Sequence, residues 1–263
     1  MISRRALLAY ALAAGAASVT FPLSRILAAV PANPRIDVGW ANTLVDFCAA
    51  AYVQLDDPAR FTVPAGYTLA ATFTGQDQQK VTAPFGFIAE SASAVVIAFR
   101  GTQTTTEWIT DADVGFTRFP FTPSAGYTHA GFTGIYASAR GQILPVLRRL
   151  SAGKRLYVTG HSLGAALATL HALDAAVNLR FASLLMYNFA SPRVGDRQFA
   201  ARYNEAVKSS IRFVNTADIV PQLPPTATGY THVNTPWTFT TDTGSRAGNH
   251  ALTTYTAAVR KAR

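Results

Sequence analysis

Apolar residues recur along this chain on two periods, and together they predict a layered domain of strands and helices. Residues 94–99, Ala-Val-Val-Ile-Ala-Phe, are apolar without interruption, as expected of a strand buried on both faces. Residues 182–189 and 211–215 read as further short apolar strands, and 66–74 as a moderately alternating one. Residues 86–90 and 94–100 pair as a hairpin about Ser91-Ala-Ser93. Over 37–54, Val38, Leu44, Val45, Ala49 and Tyr52 fall at helical spacing. Residues 131–150 follow the helical period too, although Gly141 and Pro145 should break or kink that helix. A helix reaching about Val207, a Thr-rich outer strand over 230–240 and a terminal helix over 250–261 complete the pattern. Strands alternating with helices imply a mostly parallel central sheet, flanking helices and right-handed crossovers, an α/β architecture.

Among these elements one stretch carries chemistry. Arg155-Leu-Tyr-Val-Thr-Gly160-His-Ser162-Leu-Gly164 reads as a short apolar strand and a Gly-x-Ser-x-Gly turn, followed by a helix to about Asn178. Such a turn holds a serine in a strained conformation and lifts its hydroxyl clear of a parallel sheet, as an α/β-hydrolase nucleophile requires. With glycine near 7% of residues, about one chain in ten of this length would contain the pattern by accident. The motif therefore needs a base, an orienting acid and an oxyanion hole elsewhere in the chain.

A serine hydroxyl is a poor nucleophile at neutral pH and relies on an adjacent base, usually histidine, held by a buried carboxylate. In α/β-hydrolases the acid and then the histidine follow the serine. Of the five histidines, His129 comes too early, His161 adjoins the serine and points elsewhere, and His171 lies on the next helix. His232 falls inside the Thr-rich strand, whereas His250 follows the loop 242–249 and can swing over the serine, so His250 is the expected base. Asp174 and Glu205 lie within predicted helices, where a solvated face is the default. Asp218 directly follows the 211–215 strand and is the expected acid, with Asp242 as runner-up. The backbone N–H of Leu163, at a helix N-terminus that favours anions, is one expected oxyanion donor. Thr102, at the end of the 94–99 strand, offers the second through its N–H and hydroxyl.

Composition bounds these expectations without redirecting them. The 263 residues are 49% hydrophobic, 14% charged and carry a formal net charge of +9, a chain able to fill a sizeable core. Residues 1–29 combine Arg4-Arg5, an apolar run and small residues, the composition of a cleavable secretory signal. The segment Ser3-Arg-Arg-Ala-Leu-Leu8 also resembles the twin-arginine export pattern. Pro22 and Arg25 interrupt it short of the ~20 apolar residues of a membrane span. A secreted or periplasmic protein without a stable membrane anchor is expected, with residues 30–263 as one catalytic domain. Losing Arg4, Arg5 and Arg25 lowers the charge to +6, which favours loose attraction to anionic surfaces. No basic run with interleaved aromatics suggests a nucleic-acid partner. Cys48, the sole cysteine, sits among apolar neighbours and reads as core filler.

Several ordered blocks of the chain resemble the class 3 lipases, the family of the filamentous-fungal triacylglycerol lipases. They are Val95-Val-Ile-Ala-Phe-Arg-Gly-Thr102, Trp108 with Asp111, His129-Ala-Gly-Phe132, and Val158-Thr-Gly-His-Ser-Leu-Gly-Ala165. Tyr187-Asn-Phe-Ala-Ser-Pro-Arg-Val-Gly195, Val214-Asn-Thr-Ala-Asp-Ile-Val-Pro221 and Asn249-His250 ahead of Tyr255 follow in order. The resemblance implies an α/β-hydrolase fold, a triad of Ser162, Asp218 and His250, and oxyanion donors at Thr102 and Leu163. It also implies a lid helix over about 103–116, with Trp108, Ile109, Val114 and Phe116 as lid or substrate-binding residues. This lid candidate carries Thr104, Thr105, Thr106, Glu107, Asp111 and Asp113, and is more polar than an interfacially activated lid would be. The fungal disulfides cannot form with one cysteine. The implied activity is cleavage of acylglycerol esters through an acyl-enzyme, with no cofactor or metal, by a monomer that touches lipid interfaces transiently. Esterases on soluble, feruloyl or polyester substrates, and phospholipases, are the alternatives on the same chemistry.

Overall fold

The computed structural model describes residues 33–77, 79–102 and 115–262, all within one unit, Asn33–Arg263. The expected export signal and the lid positions Trp108, Ile109 and Val114 lie outside the described residues. The strands are β1 (Thr68–Gln76), β2 (Thr82–Glu90), β3 (Ala94–Phe99), β4 (Phe116–Arg118), β5 (Tyr127–His129), β6 (Arg155–His161), β7 (Ser183–Phe189), β8 (Ser209–Asn215) and β9 (Thr235–Phe239). The helices are α1 (Val38–Asp56), α2 (Ala130–Leu150), α3 (Leu163–Asn178), α4 (Arg197–Ala206), α5 (Arg246–His250) and α6 (Leu252–Lys261). Among the described residues, seven strands form one sheet in the order β1-β2-β3-β6-β7-β8-β9. The first three are antiparallel, and every later pairing from β3–β6 to β8–β9 is parallel. This is the expected mostly parallel sheet of an α/β-hydrolase fold.

The uninterrupted apolar run of β3 divides between two cores. Val95, Ile97 and Phe99 join a cluster with α2 and α3, while Ala94, Val96 and Ala98 face α1 and α6. A strand covered on both sides thus needs apolar residues at both phases of its pleat. On the α1 side the strand residues include alanines, and Cys48 packs there against Thr159, its Sγ 3.2 Å from the Thr159 hydroxyl. Burial pushes that thiol up to about 12, consistent with an inert core role. Asp37 caps α1 by accepting a hydrogen bond from the Trp40 N–H at 2.9 Å.

Several expectations need correction. Helix α2 runs unbroken through Gly141 and Pro145. Both residues are on the exposed face, four apart, so the carbonyl that Pro145 leaves without a donor faces water. The Thr-rich strand shortens to β9, and Thr231 makes only an isolated bridge to Gly195. The terminal helix starts at Leu252, because the extended backbone of Ala251 separates it from α5. Phe116–Arg118 and Tyr127–His129 form a small separate sheet that three-residue segments do not announce in sequence. No helix of the described residues is long and apolar enough to cross a membrane.

Asp174 is the largest departure, since it is wholly buried instead of solvated. Arg140 of α2 grips it with two hydrogen bonds at 2.6 and 3.0 Å, Tyr136 donates at 2.5 Å and Asn178 at 2.7 Å. The Arg140 guanidinium also lies 4.5 Å over the Phe121 ring. Burial acts to raise the Asp174 pKa, but the Arg140 and Tyr136 hydrogen bonds and nearby positive charge outweigh it and the net shift is downward. A depressed folded pKa means its stabilisation is complete above the ordinary carboxylate value of about 3.9 and is lost as pH falls below it. Asp174→Asn leaves Arg140 without its counter-charge. It should lower stability at pH 7 by about 3 kcal/mol, measured by urea denaturation, and flatten the acid limb of the stability curve.

Candidate active site

Ser162 stands at the junction of β6 and α3 with φ 59° and ψ −127°, a region that non-glycine residues enter only under constraint. Three backbones impose it. A Cβ on Gly160 would lie 2.2 Å from the Gly164 carbonyl oxygen, and one on Gly164 would lie 2.2 Å from that of Phe99. No other residue fits at either position, so α3 starts pressed against the ends of β6 and β3. The Ser162 N–H donates to the Phe189 carbonyl at 3.0 Å, tying the turn to β7.

The hydroxyl so presented is 2.7 Å from His250 Nε2, and His250 Nδ1 is 2.8 Å from Asp218 Oδ2. Asp218 has no exposed side-chain surface. Its Oδ2 also accepts from the Tyr255 hydroxyl at 2.7 Å, and its Oδ1 accepts from the Val220 N–H at 2.9 Å. Since a carboxylate can only accept, His250 carries its proton on Nδ1, which leaves Nε2 free to take one from Ser162. Burial and the Asp218 charge hold the Tyr255 phenol well above its usual pKa, so it remains a donor. Ser162 and His250 line a cavity of about 460 Å³ together with Thr102, Tyr52, Asp56 and small apolar residues of the α5–α6 segment. The Leu163 N–H is the first of α3, a position without an intrahelical acceptor. Phe116 is half exposed at the start of β4, stacked 4.2 Å from Tyr230, and does not line this cavity.

A family model for lipase (class 3) matches residues 96–228. The chain belongs to the class 3 lipase family. A secreted mono- and diacylglycerol lipase A from Penicillium cyclopium is 34% identical over 211 residues, 72% of this chain and 66% of that one. A lipase from Rhizomucor miehei is 36% identical over 153 residues, 54% of this chain and 41% of that one. The chain thus matches just under two thirds of the Penicillium relative's length and less than half of the Rhizomucor relative's. A crystal structure of a variant of MDLA from Penicillium cyclopium superposes with a TM-score of 0.68 at 29% identity, over 80% of this chain and 84% of that one.

The structure gathers Ser162, Asp218, His250, Thr102 and Leu163 beyond the carboxyl ends of the parallel strands. Asp242, the runner-up acid, instead accepts from the Gly244 N–H and from Asn249 Nδ2, bonds that organise the loop before α5. Two contributors were missed from residue chemistry alone: Tyr255, the second donor to Asp218, and Tyr52, whose hydroxyl is 2.8 Å from His161 Nδ1. The helical spacing of Tyr52 signals burial and nothing more. The order of Tyr255 five residues after His250 was visible only as part of the family pattern.

Of the other four histidines, His129, His161 and His171 are buried and His232 is half-buried. His129 caps α2 by accepting from the Gly131 and Phe132 N–H groups. His171 is 3.1 Å from the Tyr136 hydroxyl, and His232 Nε2 donates to the Pro221 carbonyl at 2.7 Å. Burial is the leading cause of each shift, lowering His129 and His171 to about 4, His232 to about 3, and His161 well below its usual value. Unfolded, these rings titrate near 6.5, so between there and pH 4 the unfolded state binds protons that the folded state refuses. Stability is therefore full above pH 6.5 and falls as pH drops through this window, by about 1 kcal/mol per histidine per pH unit. Urea midpoints should decline steeply from pH 7 to pH 5; a flat profile would contradict the assignment of neutral buried rings.

Proposed function

We propose that this chain is a secreted serine ester hydrolase, a lipase that cleaves carboxylic esters of acylglycerols through Ser162, His250 and Asp218. The observation that carries the reading is the continuous series Ser162 Oγ–His250 Nε2–Asp218 at 2.7 and 2.8 Å, opening on a 460 Å³ cavity. His250 Nε2 takes the Ser162 proton as Oγ attacks the ester carbonyl, and buried Asp218 stabilises the imidazolium that results. The carbonyl oxygen gains charge beside the Leu163 N–H at the positive end of α3 and beside Thr102, where each donor contributes roughly 3 to 4 kcal/mol. The imidazolium then protonates the departing alcohol, leaving an acyl-serine that a water molecule hydrolyses with His250 again as base.

The alanines and Leu252 of the cavity wall suit an acyl chain, while Tyr52 and Asp56 add a polar side. The similarity to a secreted mono- and diacylglycerol lipase of Penicillium cyclopium supports the acylglycerol substrate class and, with the signal-like composition of residues 1–29, export. A transient encounter with a lipid surface is part of the proposal, and the polar segment 103–114 argues for weak dependence on that surface.

The test is hydrolysis of emulsified diacylglycerol and of esters of increasing acyl length, for wild type beside Ser162→Ala. Ser162→Ala should lose about 10⁵-fold in kcat and should not be labelled by a fluorophosphonate that labels the wild type. Hydrolysis confined to soluble short-chain esters would mark an esterase instead. A folded protein that is neither labelled nor active on any ester would overturn the reading.

A further inference from the structure

Tyr52 belongs to the last turns of α1, an element with no part in the proposed proton transfers, yet its hydroxyl ends at the site. Tyr52 Oη is 2.8 Å from His161 Nδ1, and His161 Nε2 is 2.9 Å from the backbone carbonyl oxygen of His250. A carbonyl only accepts, so Nε2 carries a hydrogen. The buried ring beside His250 is held neutral, so Nδ1 presents a lone pair and the Tyr52 hydroxyl must donate to it. The direction of both bonds is thereby fixed: Tyr52 to His161, and His161 to the His250 backbone.

The hydroxyl is equally constrained from its other side. A Cβ on Gly101 would lie 2.1 Å from Tyr52 Oη and 2.7 Å from the His161 carbonyl oxygen. Only glycine admits the hydroxyl here, and Gly101 immediately precedes Thr102. His250, for its part, is the last residue of the five-residue α5, and its ring must meet Ser162 and Asp218 together. A ring held at both nitrogens still moves if the backbone beneath it slides, and the His161 bond to the His250 carbonyl opposes that slide. Misplacement of a reacting group by about 1 Å can cost of the order of a hundredfold in rate.

We infer that Tyr52 is a positioning residue: acting through His161, it holds the backbone of His250 and thereby the ring that bridges Ser162 and Asp218. The inference rests on the hydrolase reading above and assigns Tyr52 no contact with the reacting atoms.

The experiment compares kcat and KM on a soluble short-chain aryl ester for wild type, Tyr52→Phe, His161→Leu and the double variant, with Ser162→Ala as the inactive reference. Tyr52→Phe keeps the ring and its packing while removing the donor. Its kcat should fall about tenfold with KM within twofold of wild type. Because both residues act in one series, Tyr52→Phe should cause no further loss in the His161→Leu background. Two results would overturn the inference: a Tyr52→Phe kcat within twofold of wild type, or the same loss in both backgrounds, which would mean direct action on substrate. Should His161→Leu not fold, the kcat against KM split of Tyr52→Phe decides alone, a rise in KM with unchanged kcat counting against it. A wild type no more active than Ser162→Ala would sink the hydrolase reading itself; an active wild type with an unaltered Tyr52→Phe would sink only this inference.

Discussion

The close meeting of three backbones at Gly160, Gly164 and Phe99 is the constraint on which the rest of the site depends. It forces α3 to begin immediately at the end of β6, with no room for a relaxed turn, and Ser162 takes a positive φ as a consequence. A single strained residue costs of the order of 1 to 3 kcal/mol, which only a surround that resists relaxation can hold. Here the surround is buried, with Phe99, Leu163 and Phe189 all at 2% exposure or less. β3 and β6 are parallel neighbours through Phe99 and Gly160, and the Ser162 N–H is tied to β7. The central strands are apolar on both faces because their purpose is rigidity beneath the turn, with about 1.5 to 3 kcal/mol from each fully buried large aliphatic side chain.

The supporting groups come from both ends of the chain. α1 supplies Tyr52, the β8 end supplies Asp218, and the loop, α5 and α6 supply His250 and Tyr255. None of these segments adjoins another in sequence except the last two, so the site exists only when the sheet has assembled. Asn215 shows how the late loops are anchored. Its Nδ2 donates to the Thr241 and Asn249 carbonyls, and its N–H donates to the Tyr255 hydroxyl. The residue that ends β8 thus aligns the loop carrying His250 with the acid three positions further on.

The central strands and Ser162, Asp218 and His250 were legible in sequence for a common reason. Burial on two faces writes a continuous apolar run, and a loop after a strand end is where open α/β sheets gather polar groups. What was not legible depends on partners distant in the chain. Asp174 reads as a surface helical acid until Arg140, 34 residues earlier, is placed against it. Pro145 reads as a breaker until both it and Gly141 are seen to face water. The strands β4 and β5 are too short to establish a period. Tyr52 and Tyr255 use hydroxyls whose targets, 109 and 37 residues away, no local pattern records.

Asp174 and Asp218 make an informative pair. Both are fully buried carboxylates and both accept from a buried tyrosine hydroxyl. Asp174 faces a guanidinium that is charged at every accessible pH, so its charge is balanced whenever it is ionised. Asp218 has no arginine or lysine in its ion pairs among the described residues; its partners are a phenol, a backbone N–H and His250. Neutral donors satisfy its lone pairs without cancelling its charge. His250 is the one ionisable nitrogen base paired with Asp218 among the described residues, and the Ser162 hydroxyl is 2.7 Å from its other ring nitrogen. In water-poor surroundings that imbalance acts strongly over short distances. In the proposed hydrolysis, a proton leaving Ser162 for His250 would be stabilised by the Asp218 charge. Under the proposed reading, Asp174 and Asp218 differ in whether the counter-charge is already present or has to be made.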